Sequence, residues 1–132
     1  MSSSTNSGYL LDTNAAIAIL RQEAEIEALL HAVTASVSII TVGELQYGVE
    51  NSGNIDKNRT KLDAFIANRT VIYCDLDTAR IYGRVTIQLQ RKGRPNQPND
   101  IWIASLALQH HLILLTRDAH FQNVTDSTVT TW

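Results

Sequence analysis

Only one cysteine, Cys74, occurs among the 132 residues, so no intrachain disulfide can form, and its apolar setting in VIYCDL marks it as a buried small hydrophobe. That usage suits a reducing cytoplasm. Positive charge is also short: 11 Lys and Arg stand against 13 Asp and Glu, a formal net charge of -2, with a pI near 6.0. A chain that holds nucleic acid by bulk electrostatics is usually basic, so any RNA or DNA contact here is local. No apolar run is long enough to span a membrane. The N-terminal MSSSTNSG lacks the basic start and apolar stretch of a secretory signal and reads as a floppy tail over residues 1–8. No internal repeat or low-complexity segment interrupts residues 9–132. At 44% hydrophobic and 18% charged, the chain fits one domain with one sizeable core.

What is present alternates. GYLLDT reads as a short buried strand, and NAAIAILR continues as a helix rich in alanine and leucine. A second helix, EAEIEALLHAV, follows. SVSIIT is short and β-branched, hence a strand, and TVGELQYGVEN turns helical before Ser52-Gly53 breaks it. Another helix covers residues 55–67, and TVIYCDL is the third strand. DTARIYGRVTIQLQRKG places Tyr82, Val85 and Leu89 on one helical face and stops at Gly93. Pro95 and Pro98 mark a loop. A helix from about Asp100 to His110, the strand LILLT, a turn at RDAHF and an extended TVTTW complete the chain. Strands alternating with helices, several as continuous apolar runs, imply an α/β fold with a mostly parallel sheet covered on both faces. Ligands of such sheets sit beyond the carboxyl ends of strands, where strand order reverses. Asp12 and Asp118 both follow strands.

Each acid near those positions has an ordinary local explanation. Asp12 and Asn14 suit the cap of the first helix. Glu44 lies three residues after Thr41, the spacing of a capping box. Asp100 opens a helix, and Asp118 suits an Asx turn. Taken together they mean more, because strand ends and helix starts converge at one sheet edge. Two carboxylates about 5 Å apart repel by roughly 3 kcal/mol at an effective dielectric of about 20. A divalent cation relieves that cost, and hard oxygen donors without a Cys or His set favour Mg²⁺ or Mn²⁺ over Zn²⁺. Such an ion suits phosphodiester chemistry.

LLDTN, ITVGELQYG, GRPNQPNDIWIAS and LLTRDAHF, in this order and spacing, together resemble the PIN-domain ribonucleases, and specifically the VapC-type toxins of type II toxin–antitoxin systems. The resemblance runs from Tyr9 to Trp132. It implies a three-layer α/β/α domain with a central, mostly parallel sheet. It also implies an acidic quartet, Asp12, Glu44, Asp100 and Asp118, that binds Mg²⁺ or Mn²⁺ and carries catalysis, with Thr13, Asn14 and Thr116 in support. The implied activity is metal-dependent endoribonuclease cleavage of RNA, with tRNA a common target. The implied partners are a second copy of the chain and a VapB-like antitoxin. One departure is Asn96, in the loop before Asp100, where an apolar residue is common.

The remaining polar residues have plainer readings. His110 and His111 end a helix, where positive charge suits the dipole, and His120 falls in a polar turn, so no histidine is assigned to catalysis. Arg91, Lys92 and Arg94, close in sequence to Asp100, and Arg117 beside Asp118 are candidates for substrate contact, or else ordinary solvated cations. Trp102 and Tyr47 lie at apolar helical spacing and are assigned to the core or a dimer interface. Two alternatives stay open: a non-catalytic binding module whose acids hold a partner's arginine, and a phosphoacceptor domain of the receiver kind. Against the latter, Arg117 stands where a sheet-edge lysine belongs, and no second acid adjoins Asp12.

Overall fold

A computed structural model describes residues 8–31 and 33–132. The expected tail up to residue 7, and position 32 of the second expected helix, lie outside the described residues. In chain order the elements are β1 (Tyr9–Leu11), α1 (Thr13–Leu20), α2 (Ala24–Leu30), β2 (Ala35–Ser38), α3 (Ile39–Glu50), α4 (Ile55–Ala67), β3 (Thr70–Ile72), α5 (Leu76–Arg91), α6 (Pro98–Gln109), β4 (Ile113–Leu115) and β5 (Val129–Thr130). A short 3-10 turn, Ala119–Asn123, precedes β5.

The five strands form a sheet of order β3-β2-β1-β4-β5, parallel throughout. Side chains alternate across its faces, and the central strands show how. Leu10 pairs with Leu114, and both pack with Val85, Leu89, Ile101, Ile103 and Leu106 under α5 and α6. Leu11, in register with Val37 and Leu115, faces the other way onto Ala15, Ala16, Ile26, Leu45, Leu62 and Phe65 from α1 to α4. Each fully buried leucine contributes roughly 1.5–3 kcal/mol, and a slip of one residue would move every one to the wrong layer. Three layers result, helices on both faces of one sheet. The order is not the 2-1-3-4-5 of receiver domains, which removes that alternative.

Sequence caps set where the helices begin. Asp75 accepts from Thr78 N at 3.0 Å, and Thr78 Oγ1 accepts from Asp75 N at 3.0 Å, a reciprocal box that starts α5. Asn54 Oδ1 does the same one-sidedly for α4, accepting from Lys57 N at 3.2 Å. Gly93, at φ +67°, ends the turn after α5 in the left-handed region. The outer helix α5 lies on α6 through Tyr82 and Trp102, whose rings stack at 4.1 Å. Trp102 is therefore half-buried core, whereas Tyr47 is 70% exposed and is not.

Several boundaries differ from the sequence reading. Ile39, Ile40 and Thr41, expected to extend the second strand, are helical, because Ser38 Oγ accepts from Thr41 N at 3.1 Å and starts α3 there. Thr41 is thus the third residue of a helix and not its cap, so the expected Thr41–Glu44 capping box does not form. β3 stops at Ile72, since Tyr73 turns outward and Asp75 caps α5. Pro98, read as loop, is the first residue of α6, where a missing N–H costs nothing. Cys74 is only half-buried against the core, and burial beside Asp75 pushes its thiol pKa up.

Candidate acidic site at the sheet edge

β1 is the point at which the chain changes direction: it first builds outward to β2 and β3, then returns to add β4 and β5 on the other side. The carboxyl ends of β1 and β4 therefore open the crevice where such sheets bind ligands. Asp12 follows β1 and Thr116 follows β4, and Asp12 N still donates to Leu115 O at 3.2 Å.

Asp12 is 3% exposed. One of its oxygens accepts from Ala15 N at 2.7 Å, which makes it the expected cap of α1. The other accepts from the Thr116 hydroxyl. Thr116 Oγ1 in turn accepts from Asp118 N at 2.9 Å, so one buried hydroxyl ties the first and last acids together across the sheet. Asp118 Oδ1 accepts from His120 N at 2.9 Å, the expected Asx turn. His120 Nδ1 lies 2.8 Å from the same oxygen.

Glu44 comes from the second turn of α3. Its carboxylate accepts from the Thr13 hydroxyl, which brings it beside the residue that follows Asp12. Asp100 enters from the first turn of α6, and it shares with Glu44 a hollow of about 350 Å³ lined also by Gln97, Pro98 and Asn99. Burial pushes the Asp12 pKa up, and the charges of Asp118 and Glu44 add to the rise, while the Thr116 and Ala15 hydrogen bonds oppose it. Asp100 is pushed up to about 6, first by burial and then by Asp118, Glu44 and Asp12, with His120 pulling the other way. These mutual effects place the four acids in one electrostatic cluster. It is not a finished coordination shell: among the described residues no three His, Cys, Asp or Glu side chains converge tightly enough to hold an ion as they stand.

The supporting residues divide. Thr13 and Thr116 bond directly to acids, but Asn14 is exposed, with no side-chain hydrogen bond to the quartet among the described residues. Of the four cations, Lys92 is engaged by Asn123 O at 2.9 Å and Thr125 Oγ1 at 2.7 Å. Arg117 bonds Glu25 at 3.1 Å and Trp132 O at 3.0 Å, with its guanidinium 4.4 Å from the centre of the Trp132 ring. Arg91 and Arg94 are exposed and make no ion pair among the described residues. The sequence reading did not name Ser38, the true cap of α3; it took Thr41, which is fully buried against Thr13, for a cap, and it gave His120, which lies against Asp118, only a place in a polar turn. Ser38 was legible in principle, since Ser-Ile-Ile-Thr has the same cap spacing as Thr-Val-Gly-Glu.

A three-layer domain with a wholly parallel sheet and acids gathered at its switch point is the class of protein that fold and site define. The chain belongs to the PIN domain family, whose model matches residues 9–126. It is 29% identical over 130 residues to Ribonuclease VapC2 of Rickettsia felis, covering 94% of this chain and 97% of that one. It is 30% identical over 128 residues to the tRNA(fMet)-specific endonuclease VapC of Salmonella typhimurium, with the same two coverages. Among solved structures, DNA-bound VapBC from Salmonella typhimurium matches with a TM-score of 0.91 at 28% identity, covering 96% of this chain and 98% of that one.

Proposed function

We propose that the chain is a VapC-type endoribonuclease, the toxin of a toxin–antitoxin pair, which hydrolyses RNA phosphodiester bonds and is restrained by a VapB-like antitoxin. Family membership, relatives named as VapC ribonucleases along nearly the whole chain, and VapBC structural neighbours support the activity and the antitoxin. tRNA is the proposed substrate class, after the name of the Salmonella relative, and a homodimer is the proposed assembly. A cytoplasmic site of action is proposed, after the single cysteine; separately, no helix of the described residues is long and apolar enough to cross a membrane.

The observation that carries the site reading is the electrostatic cluster of Asp12, Glu44, Asp100 and Asp118 at the switch point. Among the described residues no lysine or arginine pairs with any of the four. Left alone, that cluster repels a phosphodiester, so an RNA nuclease needs positive charge here. The donors are hard oxygens, which fit Mg²⁺ or Mn²⁺, and these four carboxylates are the residues proposed to hold it. A bound ion of that kind supplies Lewis-acid polarisation of the phosphate and eases deprotonation of the attacking water. The chain's own part is placement. Ala15 N and Thr116 fix Asp12, Thr116 and the Asx turn fix Asp118, and Thr13 aims Glu44. A carboxylate has about four acceptor positions, so each of these acids keeps lone pairs beyond its protein bonds. Arg91 and Arg94 are the proposed contacts to the RNA backbone.

The test is cleavage of total RNA by purified protein with Mg²⁺, beside a chelated sample and the Asp12→Asn variant, with the cut sites mapped. Discrete cuts seen only in the first sample support the reading. Cuts that persist after chelation reject the metal, and no cuts in any sample favour a non-catalytic binding module.

A further inference from the structure

Glu44 stands on α3, and because that helix starts at Ile39 a second hydroxyl lies behind it. Thr41 lies three residues earlier on α3, so the two share a helix face. Its side chain is fully buried, and its hydroxyl sits 3.2 Å from Thr13 Oγ1. A hydroxyl has one proton and two acceptor positions. Thr13 gives its proton to the Glu44 side chain. Thr13 is therefore the acceptor from Thr41, and the direction of both bonds is set: Thr41 O–H to Thr13 Oγ1, Thr13 O–H to Glu44 Oε1. Thr41 is held in turn by its own main chain, since its N–H donates to Ser38 Oγ, the cap of α3 and itself fully buried.

We propose that Thr41 is a positioning residue for the acidic site: a buried hydroxyl that fixes the Thr13 rotor and, through it, the direction of the Glu44 carboxylate. The inference rests on the nuclease reading for what Glu44 does, but the relay itself rests on burial and hydrogen-bond geometry. Without Thr41 as donor, Thr13 Oγ1 is oriented by its bond to Glu44 alone, and the one protein hydrogen bond of Glu44 among the described residues is weakened. Thr13 links the first turn of α1 to α3, two helices that also pack against each other. Thr41 thereby couples the Asp12 side of the site to the Glu44 side. Two hydrogen-bonded hydroxyls in sequence polarise each other, so the inner one strengthens the bond that reaches the carboxylate.

The test uses Thr41→Val, which keeps the branched shape and removes the hydroxyl, and Thr41→Ser, which keeps the hydroxyl. Both are measured in wild-type and Glu44→Gln backgrounds. Mn²⁺ affinity is read by calorimetry, RNA cleavage as kcat and KM, and melting temperature without metal. Thr41→Val should weaken Mn²⁺ binding by about fivefold and lower kcat with little change in KM, while Thr41→Ser should restore both. In the Glu44→Gln background Thr41→Val should change Mn²⁺ affinity less than about twofold, because the group it acts through is already altered. An equal Mn²⁺ loss in both backgrounds, or wild-type Mn²⁺ affinity in Thr41→Val while Glu44→Gln is impaired, overturns the relay alone. A fall in melting temperature with unchanged Mn²⁺ affinity does the same and leaves Thr41 a core residue. Absence of Mn²⁺ binding and of cleavage by the wild-type protein overturns the nuclease reading, and the relay with it.

Discussion

Asp100→Asn should make the metal-free protein more stable at neutral pH. The perturbation removes one negative charge from a hollow it shares with Glu44, near Asp12 and Asp118, and leaves a side chain of the same shape. Folded Asp100 titrates at about 6 against an ordinary value of 3.8. Between those values the folded state holds more proton than the unfolded state, so stability falls as pH rises through the window and the full cost is present above it. The shift corresponds to about 3 kcal/mol at about 1.4 kcal/mol per unit. Asp100 is only half-buried, and solvent screening reduces this to about 1.5 kcal/mol. Loss of a carboxylate from the first turn of α6 offsets about 0.5 kcal/mol more. The net gain of about 1 kcal/mol raises the melting temperature of a domain this size by roughly 3–5 °C. The assay is thermal unfolding followed by circular dichroism in the presence of chelator, at about pH 7.5 and about pH 4. A gain at neutral pH that vanishes in acid is expected. An unchanged or lower melting point at neutral pH, or an equal gain at both, refutes the clustering.

Asp12→Asn should lower RNA cleavage by at least about a hundredfold with Mg²⁺ present and leave the circular dichroism spectrum intact, since a neutral amide is a poor ligand for a hard cation; wild-type rates would remove Asp12 from the site. Mg²⁺ should raise the melting temperature of the wild-type protein in proportion to the logarithm of its concentration and do so far less for Asp12→Asn; equal shifts would place the ion elsewhere. Ser38→Ala deletes the cap that starts α3 and should cost about 1 kcal/mol, or roughly 4 °C, in chemical or thermal denaturation. Arg117→Ala loses a cation–π contact and an exposed ion pair, so a fall of about 2–4 °C with RNA affinity within twofold is expected. Tenfold weaker RNA binding at unchanged stability would instead make Arg117 a substrate contact.

Much of this molecule is local and was therefore legible in the sequence. Leu10-Leu11 and Leu114-Leu115 announce buried strands because a strand covered on both faces has no polar side. Asp12 and Asp118 announce themselves as strand-end acids because the chain direction alone puts them at the carboxyl edge. Errors fall where two local signals compete. Ile39 and Ile40 are good strand residues, yet the Ser38 cap starts a helix at them. Thr41–Glu44 has capping-box spacing, but the cap was already supplied three residues earlier.

Sequence alone indicated the layer pattern and the helix cap at Asp12, and it put forward the four acids as a set in chain order. Tertiary structure decided what they meet. The Thr116 hydroxyl reaches Asp12 across 104 residues and Thr13 reaches Glu44 across 31, and Lys92 and Arg117 prove to be tied to Asn123 and Trp132 rather than turned toward the acids. Propensity and spacing report on neighbours within a turn or two of backbone. Which distant hydroxyl shares a proton with which carboxylate is set only when the sheet order brings β4 beside β1 and packs α3 against α1.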